Sequence, residues 1–337
     1  ILARSGRSIM LSTLMNASDS PRLDFALDID FSKVLTNPIL DIAARVWDED
    51  RYEAFRVCYR SMRRVDDLVD DLKTKAGAVP EPLAQKAESE ISNWLRRMRA
   101  KDAGDEYSRQ FIATCDRFAI PLWPWERLAE AMVYDLRHRG FDSFHTFLRY
   151  CEGAAISPAA VFMHLCGVAK TSAGYVAPAY DIRRSARPLA IFSYLVHIMR
   201  DFEKDQKAGL NYFADTILAG AGIDSNELRE SAVRGVVDSR LRAVMTIYHA
   251  IAGRYQLEAR VVVDRTLPNL DHRYQLSLEL IYSLYSQIFD RVDPEHGQFS
   301  GPALNPAPEE VSGEVQRTIE RFRPTARVSP SSDRRAG

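Results

Sequence analysis

Apolar residues recur at intervals of three and four along most of this chain, the spacing that places them on one face of an α-helix. One such run covers residues 39–79 and another covers residues 271–292, "DHRYQLSLELIYSLYSQIFDRV". The pattern predicts an all-α protein with roughly eight to twelve helices. Proline, which would interrupt helices, is absent from five long stretches: 39–79, 83–120, 125–157, 189–267 and 269–293.

Strand patterns, in which apolar and polar residues alternate, are scarce. "RVVVD" (260–264) is the one candidate strand. We therefore expect a single helical domain over residues 25–300. Residues 1–24 are expected to be a loosely ordered extension. Residues 301–337 are rich in Pro, Ser and Arg and poor in large apolar residues, so we expect a disordered tail that contributes little to the core.

Composition excludes several classes of protein. Of 337 residues, 46% are hydrophobic and 27% are charged, as in a globular protein with a sizeable core. The net charge of −1 gives no overall attraction to nucleic acid, so no nucleic-acid partner is expected. The four cysteines follow no metal-finger spacing and are typical of buried thiols in a reducing compartment. No apolar run is long enough to span a membrane, and we expect a cytoplasmic protein.

The stretch "RRVDDLVDD" (63–71) concentrates four aspartates on one helical segment. Residues four apart share a helix face, so Asp66 aligns with Asp70. Two such charges about 4 Å apart repel by about 1 kcal/mol in water and about 4 kcal/mol at a dielectric constant of 20. Neighbouring bases can offset that repulsion, and so can Mg²⁺, which is commonly held by one or two carboxylates and substrate phosphates. Alone, the cluster is more typical of a solvated helix surface than of a metal site.

A second cluster changes that interpretation. In "RDFEKDQKAGLNYF" (200–213), Asp201 and Asp205 again lie four residues apart. Basic residues flank both clusters, and each cluster follows an apolar helical run. Two acidic helix faces on opposite sides of a cavity, with cations nearby, would suit a polyanion bridged by Mg²⁺. A diphosphate fits that description.

Four segments of the sequence resemble the squalene/phytoene synthase family. "YRSMRRVDDLVDD" and "RDFEKDQKAGLNYF" are similar to its two aspartate motifs. "RYCEGAAISPAAVFMHLCG" (149–167) is similar to its small-residue segment, and "LYSQIFDRVDPEHGQF" (284–299) to its last core helix. The resemblance runs from about residue 30 to residue 300. It implies the all-α isoprenoid synthase fold with a central cavity.

The resemblance also implies roles for individual residues. Two to three Mg²⁺ ions would bridge the aspartates to the substrate diphosphates. The implied metal ligands are Asp66, Asp67, Asp70, Asp201 and Asp205, and the residues implied to contact diphosphate are Tyr59, Arg63, Arg200, Lys204 and Tyr212. The implied reaction joins two farnesyl or two geranylgeranyl diphosphates head to head through a cyclopropyl diphosphate. NADPH would be required only for a squalene product, and product release would involve peripheral membrane contact.

Three departures from the family pattern bear on the substrates and the product. Tyr194 and His197 stand where the family carries Gln and Asn; His197 is either a metal ligand or a hydrogen-bonded core residue. Pro158 lies in "AISPA" (155–159), where the family has A-G-[ST]-V-G. "FSK" (31–33) is the candidate for an N-terminal phosphate-binding stretch. Two alternatives therefore stay open beside head-to-head condensation: terpene-synthase-like ionisation of one prenyl diphosphate, and a non-catalytic assembly or scaffold role. Substrate chain length, NADPH use and oligomeric state are not encoded in a readable motif.

Overall fold

The computed structural model describes residues 38–76 and 79–327, so the predicted extension over residues 1–24 and the "FSK" stretch lie outside the described residues. The all-α prediction is confirmed. The described residues form fifteen α-helices, more than expected because four of them have seven residues or fewer. The elements are α1 (Pro38–Ala44), α2 (Glu49–Ala76), α3 (Glu81–Arg99), α4 (Glu106–Arg117), α5 (Trp123–Arg137), α6 (Phe144–Ala154), α7 (Ile156–Gly167), β1 (Ala169–Thr171), β2 (Gly174–Val176), α8 (Ile182–Arg200), α9 (Phe202–Lys207), α10 (Asp215–Gly220), α11 (Ser225–Arg234), α12 (Ser239–Thr266), α13 (His272–Phe289), α14 (Gly301–Leu304) and α15 (Pro308–Arg321).

Local sequence determines where several helices begin. Asp105, Ser143 and Asp181 each precede a helix, and each accepts a hydrogen bond from a backbone amide of its first turn. Asp224 and Glu227 form a reciprocal capping box at the start of α11. These side chains satisfy amides that lack a partner within the helix.

The packing of the longer helices places α7 between α2 and α8. Helix α8 packs against α7, α12 and α13, and α2 packs against α5 and α7. Helix α7 is apolar on all sides, as expected for a helix that is buried on all sides. Helices α2 and α8 therefore share α7 as a packing partner.

One buried arginine fixes the start of α2 against this core. The Arg51 guanidinium donates hydrogen bonds to the carbonyl oxygens of Leu165 (3.1 Å) and Val168 (2.9 Å) at the end of α7. It also lies 4.1 Å from the centroid of the Tyr274 ring on α13. A cation is favourable at the C-terminal end of a helix, where carbonyl groups lack partners. Arg51 thus ties three helices together and orients α2.

The candidate strand at 260–264 is helical. These residues lie inside α12, where Ala259 and Val263 are buried, while Val261, between them, is 47% exposed. Burial at an interval of four follows the helical period. The two strands that do form, β1 and β2, make a short antiparallel hairpin elsewhere in the chain.

The predicted disorder of the C-terminal tail is also wrong for residues 301–327. Helix α15 packs against α13, and Val315 and Phe322 are buried. The Gln275 side chain exchanges two hydrogen bonds of 2.8 Å with the backbone of Thr325. A few well-placed apolar residues therefore anchor a segment of polar composition. Residues 328–337 lie outside the described residues.

Membrane insertion by a helix is not supported by the described ranges. None of the helices between residues 38 and 327, apart from the undescribed positions 77–78, is both long enough and apolar enough to cross a bilayer.

Candidate active site

The first acidic face lies on α2. The Arg63 guanidinium binds the carboxylates of both Asp66 and Asp67. Asp66 is 26% exposed and Asp67 is 57% exposed, so the former carries more of the cost of leaving water. Burial, followed by repulsion from Asp70, raises the pKa of Asp66 to about 7 despite the Arg63 charge. Burial, followed by repulsion from Asp135, also raises the pKa of Asp70. The positive charge of Arg63 therefore offsets only part of the effect of burial and of the repulsion among the carboxylates on this face.

The second acidic face lies where α8 meets α9. The amide of Asp201 donates to the His197 carbonyl (2.9 Å), and the amide of Asp205 donates to the Asp201 carbonyl (2.8 Å). The chain thus keeps a helical path through the junction, and the three side chains stay on one face. Arg200 holds the Asp201 carboxylate through Nε (2.7 Å) and Nη2 (2.9 Å). Burial opposes ionisation of Asp201, but this hydrogen-bonded guanidinium outweighs it and lowers the pKa.

The pKa of Asp205 shifts in the opposite direction from that of Asp201. Burial, followed by repulsion from Asp201, raises the pKa of Asp205 to about 7, and the Asp70 carboxylate of α2 adds to the repulsion. Since Asp70 belongs to the other cluster, its influence indicates that the two acidic faces approach each other across the bundle interior. The pairing that the sequence predicted for the two clusters is consistent with this arrangement.

His197 is held by its own neighbours. Its Nδ1 lies 2.8 Å from Arg200 Nη2, which can only donate, so Nδ1 accepts and the proton is assigned to Nε2. Nε2 lies 3.3 Å from a carboxylate oxygen of Asp201. Partial removal from water, followed by the Arg200 charge, lowers the pKa of His197 to about 4. Metal ligation by this neutral imidazole, which remains a prediction, would require one of the two contacts to break.

A buried acid that the sequence analysis missed lies beside the first face. Asp135 on α5 is 5% exposed, and it accepts hydrogen bonds from the Tyr150 hydroxyl (2.7 Å) and from Lys73 Nζ (2.9 Å). These contacts link α5, α6 and α2. The available signal was the aspartate in "AMVYDL" (131–136), a carboxylate on an otherwise buried helix face that requires partners.

Aromatic side chains line the interior next to the acidic faces. The Tyr194 ring centroid lies 5.9 Å from Phe147, 6.4 Å from Tyr150 and 6.1 Å from Tyr212. Tyr212 follows α9, so this cluster joins α6 and α8 to the loop beyond the second face. Such surroundings exclude water and suit an apolar chain attached to a charged head group.

The remaining predicted residues differ in placement. Tyr59 is buried on α2, one turn before Arg63. Lys204 is exposed on α9, where its charge favours ionisation of Asp201 and Asp205. The structure therefore brings the predicted residues to two neighbouring faces, with Lys204 at the outer edge.

The donor set of the two faces fits Mg²⁺. The groups are carboxylate oxygens, the hard ligands that Mg²⁺ prefers, and three of them have raised pKa values because they are buried and because other carboxylates lie nearby. Within the described ranges, no three His, Cys, Asp or Glu side chains come close enough to hold one ion by themselves. Phosphate oxygens and water would therefore have to complete the coordination, which is usual for Mg²⁺.

Comparison with known proteins places the chain in a family. The sequence profile described as Squalene/phytoene synthase matches residues 41–309, which is most of the chain and includes both acidic faces. The chain belongs to the squalene/phytoene synthase family. The resemblance to this family is thereby confirmed.

Relatives in this family include phytoene synthases of chloroplasts. Phytoene synthase 1 of Zea mays is 26% identical over 248 residues, which are 73% of this chain and 56% of that protein. Phytoene synthase 2 of Oryza sativa subsp. japonica is 25% identical over 258 residues, which are 75% of this chain and 59% of that protein. The chain thus spans somewhat more than half the length of these relatives.

Solved structures share the fold. A dehydrosqualene synthase structure matches with a TM-score of 0.66 at 16% identity and covers 85% of this chain and 92% of its own. The squalene synthase HpnC from Alicyclobacillus acidocaldarius matches with a TM-score of 0.60 at 20% identity and covers 77% and 88%. The predicted isoprenoid synthase fold is confirmed.

Proposed function

We propose that this protein joins two prenyl diphosphates head to head, with Mg²⁺ as its cofactor, and forms a squalene- or phytoene-type product through a cyclopropyl diphosphate. Membership of the squalene/phytoene synthase family supports this class of reaction. The proposal makes the protein a prenyltransferase whose chemistry requires no nucleophilic side chain.

The observation that carries the proposal is the crowding of partly buried carboxylates on two helical segments, with Asp70 of the first close enough to act on Asp205 of the second. Asp66, Asp70 and Asp205 all ionise less readily than an ordinary aspartate. A fold that keeps such repulsion loses stability unless a cationic ligand relieves it. In this proposal the two acidic faces provide one site for each of two diphosphates. Carboxylates that only interact with solvent would not benefit from being crowded together.

Four aspartates would hold Mg²⁺: Asp66 and Asp70 on one face, and Asp201 and Asp205 on the other. Bound Mg²⁺ would neutralise the diphosphates and stabilise the one that leaves. Arg63 and Arg200 lie beside these carboxylates, and in this proposal they donate hydrogen bonds to phosphate oxygens of the substrates.

The remaining side chains of the site act on the hydrocarbon part of the substrate. When the allylic C–O bond breaks, the diphosphate leaves with the electron pair, and a double bond of the second prenyl chain supplies the pair for the new C–C bond. Loss of a proton closes the cyclopropane ring. Tyr150, Tyr194 and Tyr212 exclude water that would otherwise capture the cation, and their π-faces stabilise its charge.

Product analysis tests the proposal. Purified protein is incubated with farnesyl or geranylgeranyl diphosphate, with Mg²⁺ or with EDTA, and with or without NADPH, and extracted products are identified by mass. We expect a coupled C30 or C40 hydrocarbon, or its cyclopropyl diphosphate, only with Mg²⁺. Asp66→Asn should abolish it, and Asp71→Asn, an exposed aspartate on the same helix, should not.

The same assay separates the two alternatives. A C15 or C20 product without coupled chains would replace condensation by ionisation of a single substrate, as in a terpene synthase. Absence of both turnover and Mg²⁺-dependent diphosphate binding would contradict an enzymatic role and favour an assembly or scaffold protein.

A further inference from the structure

A lysine lies on the same side of α2 as the first pair of aspartates. Asp66, Asp70 and Lys73 follow one another at intervals of four and three residues, the spacing that aligns side chains along one side of a helix. Burial, followed by repulsion from Asp135, raises the pKa of Asp70, and the charges of Arg63 and Lys73 oppose that rise. The Lys73 charge therefore acts on the first acidic face, although this lysine is not among the residues implied to contact diphosphate.

Asp135 brings a further carboxylate from α5 to this face. Burial and repulsion from Asp70 are the main causes of the raised pKa of Asp66, and the charge of Asp135 adds to them. Three carboxylates from two helices thus act on one another at the first face. If the charge of Asp135 were free, it would add to the attraction of this face for a cation.

That charge is not free, because Lys73 is already paired with it. Lys73 Nζ donates a hydrogen bond to one carboxylate oxygen of Asp135 (2.9 Å), and the Tyr150 hydroxyl donates to the other (2.7 Å). The Lys73 and Asp135 side chains are 10% and 6% exposed. Separating a buried ion pair leaves each charge without a partner and away from water, which is costly. Another cation could therefore bind Asp135 only by displacing Lys73.

We propose that Lys73 is a built-in cation of the first acidic face, which pairs with Asp135 and so limits Mg²⁺ binding on this face to Asp66 and Asp70. The inference rests on the proposed function, because it concerns the metal that the proposal places at this face. It makes Lys73 and Asp135 positioning residues, which contact neither the metal nor the substrate.

This pairing affects how metal and substrate bind. Mg²⁺ that is held by two carboxylates keeps coordination positions for water and for phosphate oxygens. Tight binding of the ion then depends on the diphosphate, which supplies further oxygen ligands and negative charge. A third free carboxylate would let the ion bind without substrate. Lys73 therefore couples metal binding at the first face to the binding of a diphosphate.

Metal binding, measured without turnover, tests this assignment. The probe is Mn²⁺, which suits the same oxygen ligands as Mg²⁺. Its dissociation constant is determined from the electron paramagnetic resonance signal of the free ion, with and without farnesyl thiodiphosphate. Without the analogue, we expect Lys73→Met to bind Mn²⁺ at least about tenfold more tightly than the native protein, because the charge of Asp135 becomes free. The analogue should improve the affinity of this variant less than that of the native protein.

Asp135→Asn should have the opposite effect. It leaves the Lys73 charge without its partner beside Asp70, so we expect Mn²⁺ to bind about threefold or more weakly than in the native protein. Both variants lose the same buried ion pair, and a general structural effect would weaken binding in both. Opposite shifts therefore separate the role of charge from a loss of structure.

Two further variants serve as controls. Lys73→Arg keeps the positive charge and should stay within about threefold of the native affinity. Arg60→Met removes an exposed positive charge from the same helix and should change the affinity by less than about twofold. If Lys73→Met does not fold, as judged by circular dichroism, Lys73→Gln takes its place. Its amide can still donate to Asp135, and we expect a smaller gain in affinity.

The experiment distinguishes two ways in which the inference can fail. If the native protein binds no Mn²⁺ even with the analogue present, the proposed function falls and this inference falls with it. If the native protein binds Mn²⁺ with the analogue, but Lys73→Met and Asp135→Asn leave the affinity unchanged or shift it in the same direction, the role of Lys73 alone is overturned.

Discussion

On α2 the aspartates lie in the middle of a 28-residue helix, whereas at the second face they lie at the junction of α8 and α9. The difference extends to charge. Arg63 divides its guanidinium between Asp66 and Asp67, and Asp66 still ionises with difficulty. Arg200 donates two hydrogen bonds to Asp201, whose pKa is lowered, whereas the pKa of Asp205 stays raised. Each face therefore contains one arginine paired with a carboxylate and at least one carboxylate whose pKa is raised.

The direction of the pKa shift distinguishes the carboxylates that stabilise the fold from those that are available to bind a cationic ligand. An aspartate whose pKa is lowered, as that of Asp201 is by Arg200, contributes to stability, and an aspartate whose pKa is raised, as that of Asp66 is despite Arg63, reduces it. Mutations should therefore separate the two groups by the sign of their effect on stability, although both groups contribute to the proposed reaction.

The largest expected effect is on turnover. Asp70→Asn and Asp205→Asn remove one metal-binding carboxylate from each face and should each lower kcat/KM by about 100-fold or more, as expected when a main electrostatic contact of the transition state is lost. Steady-state assays with farnesyl diphosphate measure the effect. Asp71→Asn is the matched control, and we expect less than about a twofold change. Equal activity of Asp70→Asn and Asp71→Asn would exclude the first face from catalysis.

The next largest expected effect is the loss of stability when the buried pair of Lys73 and Asp135, beside the first face, is broken. Lys73 and Asp135 are 10% and 6% exposed, so Lys73→Met would leave an uncompensated buried carboxylate. We expect the free energy of unfolding to fall by about 3 kcal/mol. Urea denaturation measures the change. The double variant Lys73→Met/Asp135→Asn should recover part of the loss, and if the single variant is as stable as the native protein, the pair does not anchor α2 to α5.

In the absence of metal, replacing Asp66 and replacing Asp201 should change the free energy of unfolding in opposite directions. In EDTA at pH 8, Asp66→Asn should raise the free energy of unfolding by about 1–3 kcal/mol, because each unit of raised pKa corresponds to about 1.4 kcal/mol. The gain should shrink as the pH falls below 7 and disappear only below 3.8, the ordinary pKa of the group, where the carboxyl group is protonated in both the folded and the unfolded state. Asp201→Asn should instead lower stability by about 1–2 kcal/mol, since Arg200 loses its partner. Changes of the same sign at both positions would refute the distinction.

The smallest effect concerns α7, the helix that packs against both α2 and α8. His164 is 1% exposed, its Nε2 lies 2.9 Å from the Phe118 carbonyl, and its Nδ1 has no partner. Burial lowers the pKa of His164, so the unfolded chain binds a proton more readily than the folded protein. Stability should therefore fall as the pH decreases below about 6.5, the usual pKa of histidine. His164→Gln should reduce that slope, and identical slopes in thermal unfolding between pH 7 and 5 would contradict the assignment.

The sequence predicted the helical fold and the two aspartate faces because both depend on local spacing. It left 260–264 as a candidate strand, because a run of β-branched residues resembles a strand until the burial of Ala259 and Val263 shows the helical period. It missed α15, because composition does not reveal that Val315 and Phe322 find complementary positions on the core. The partners of Asp135 were also hidden, since Lys73 and Tyr150 meet it only through tertiary packing.

The central claim is that the two acidic faces form one site for two prenyl diphosphates. Isothermal titration calorimetry with farnesyl thiodiphosphate, which does not ionise readily, tests it directly. With Mg²⁺ present, we predict two equivalents bound per native chain, one equivalent for Asp205→Asn, and negligible binding in EDTA. Binding of a single equivalent that Asp205→Asn leaves unchanged, or binding that does not depend on Mg²⁺, would contradict the account.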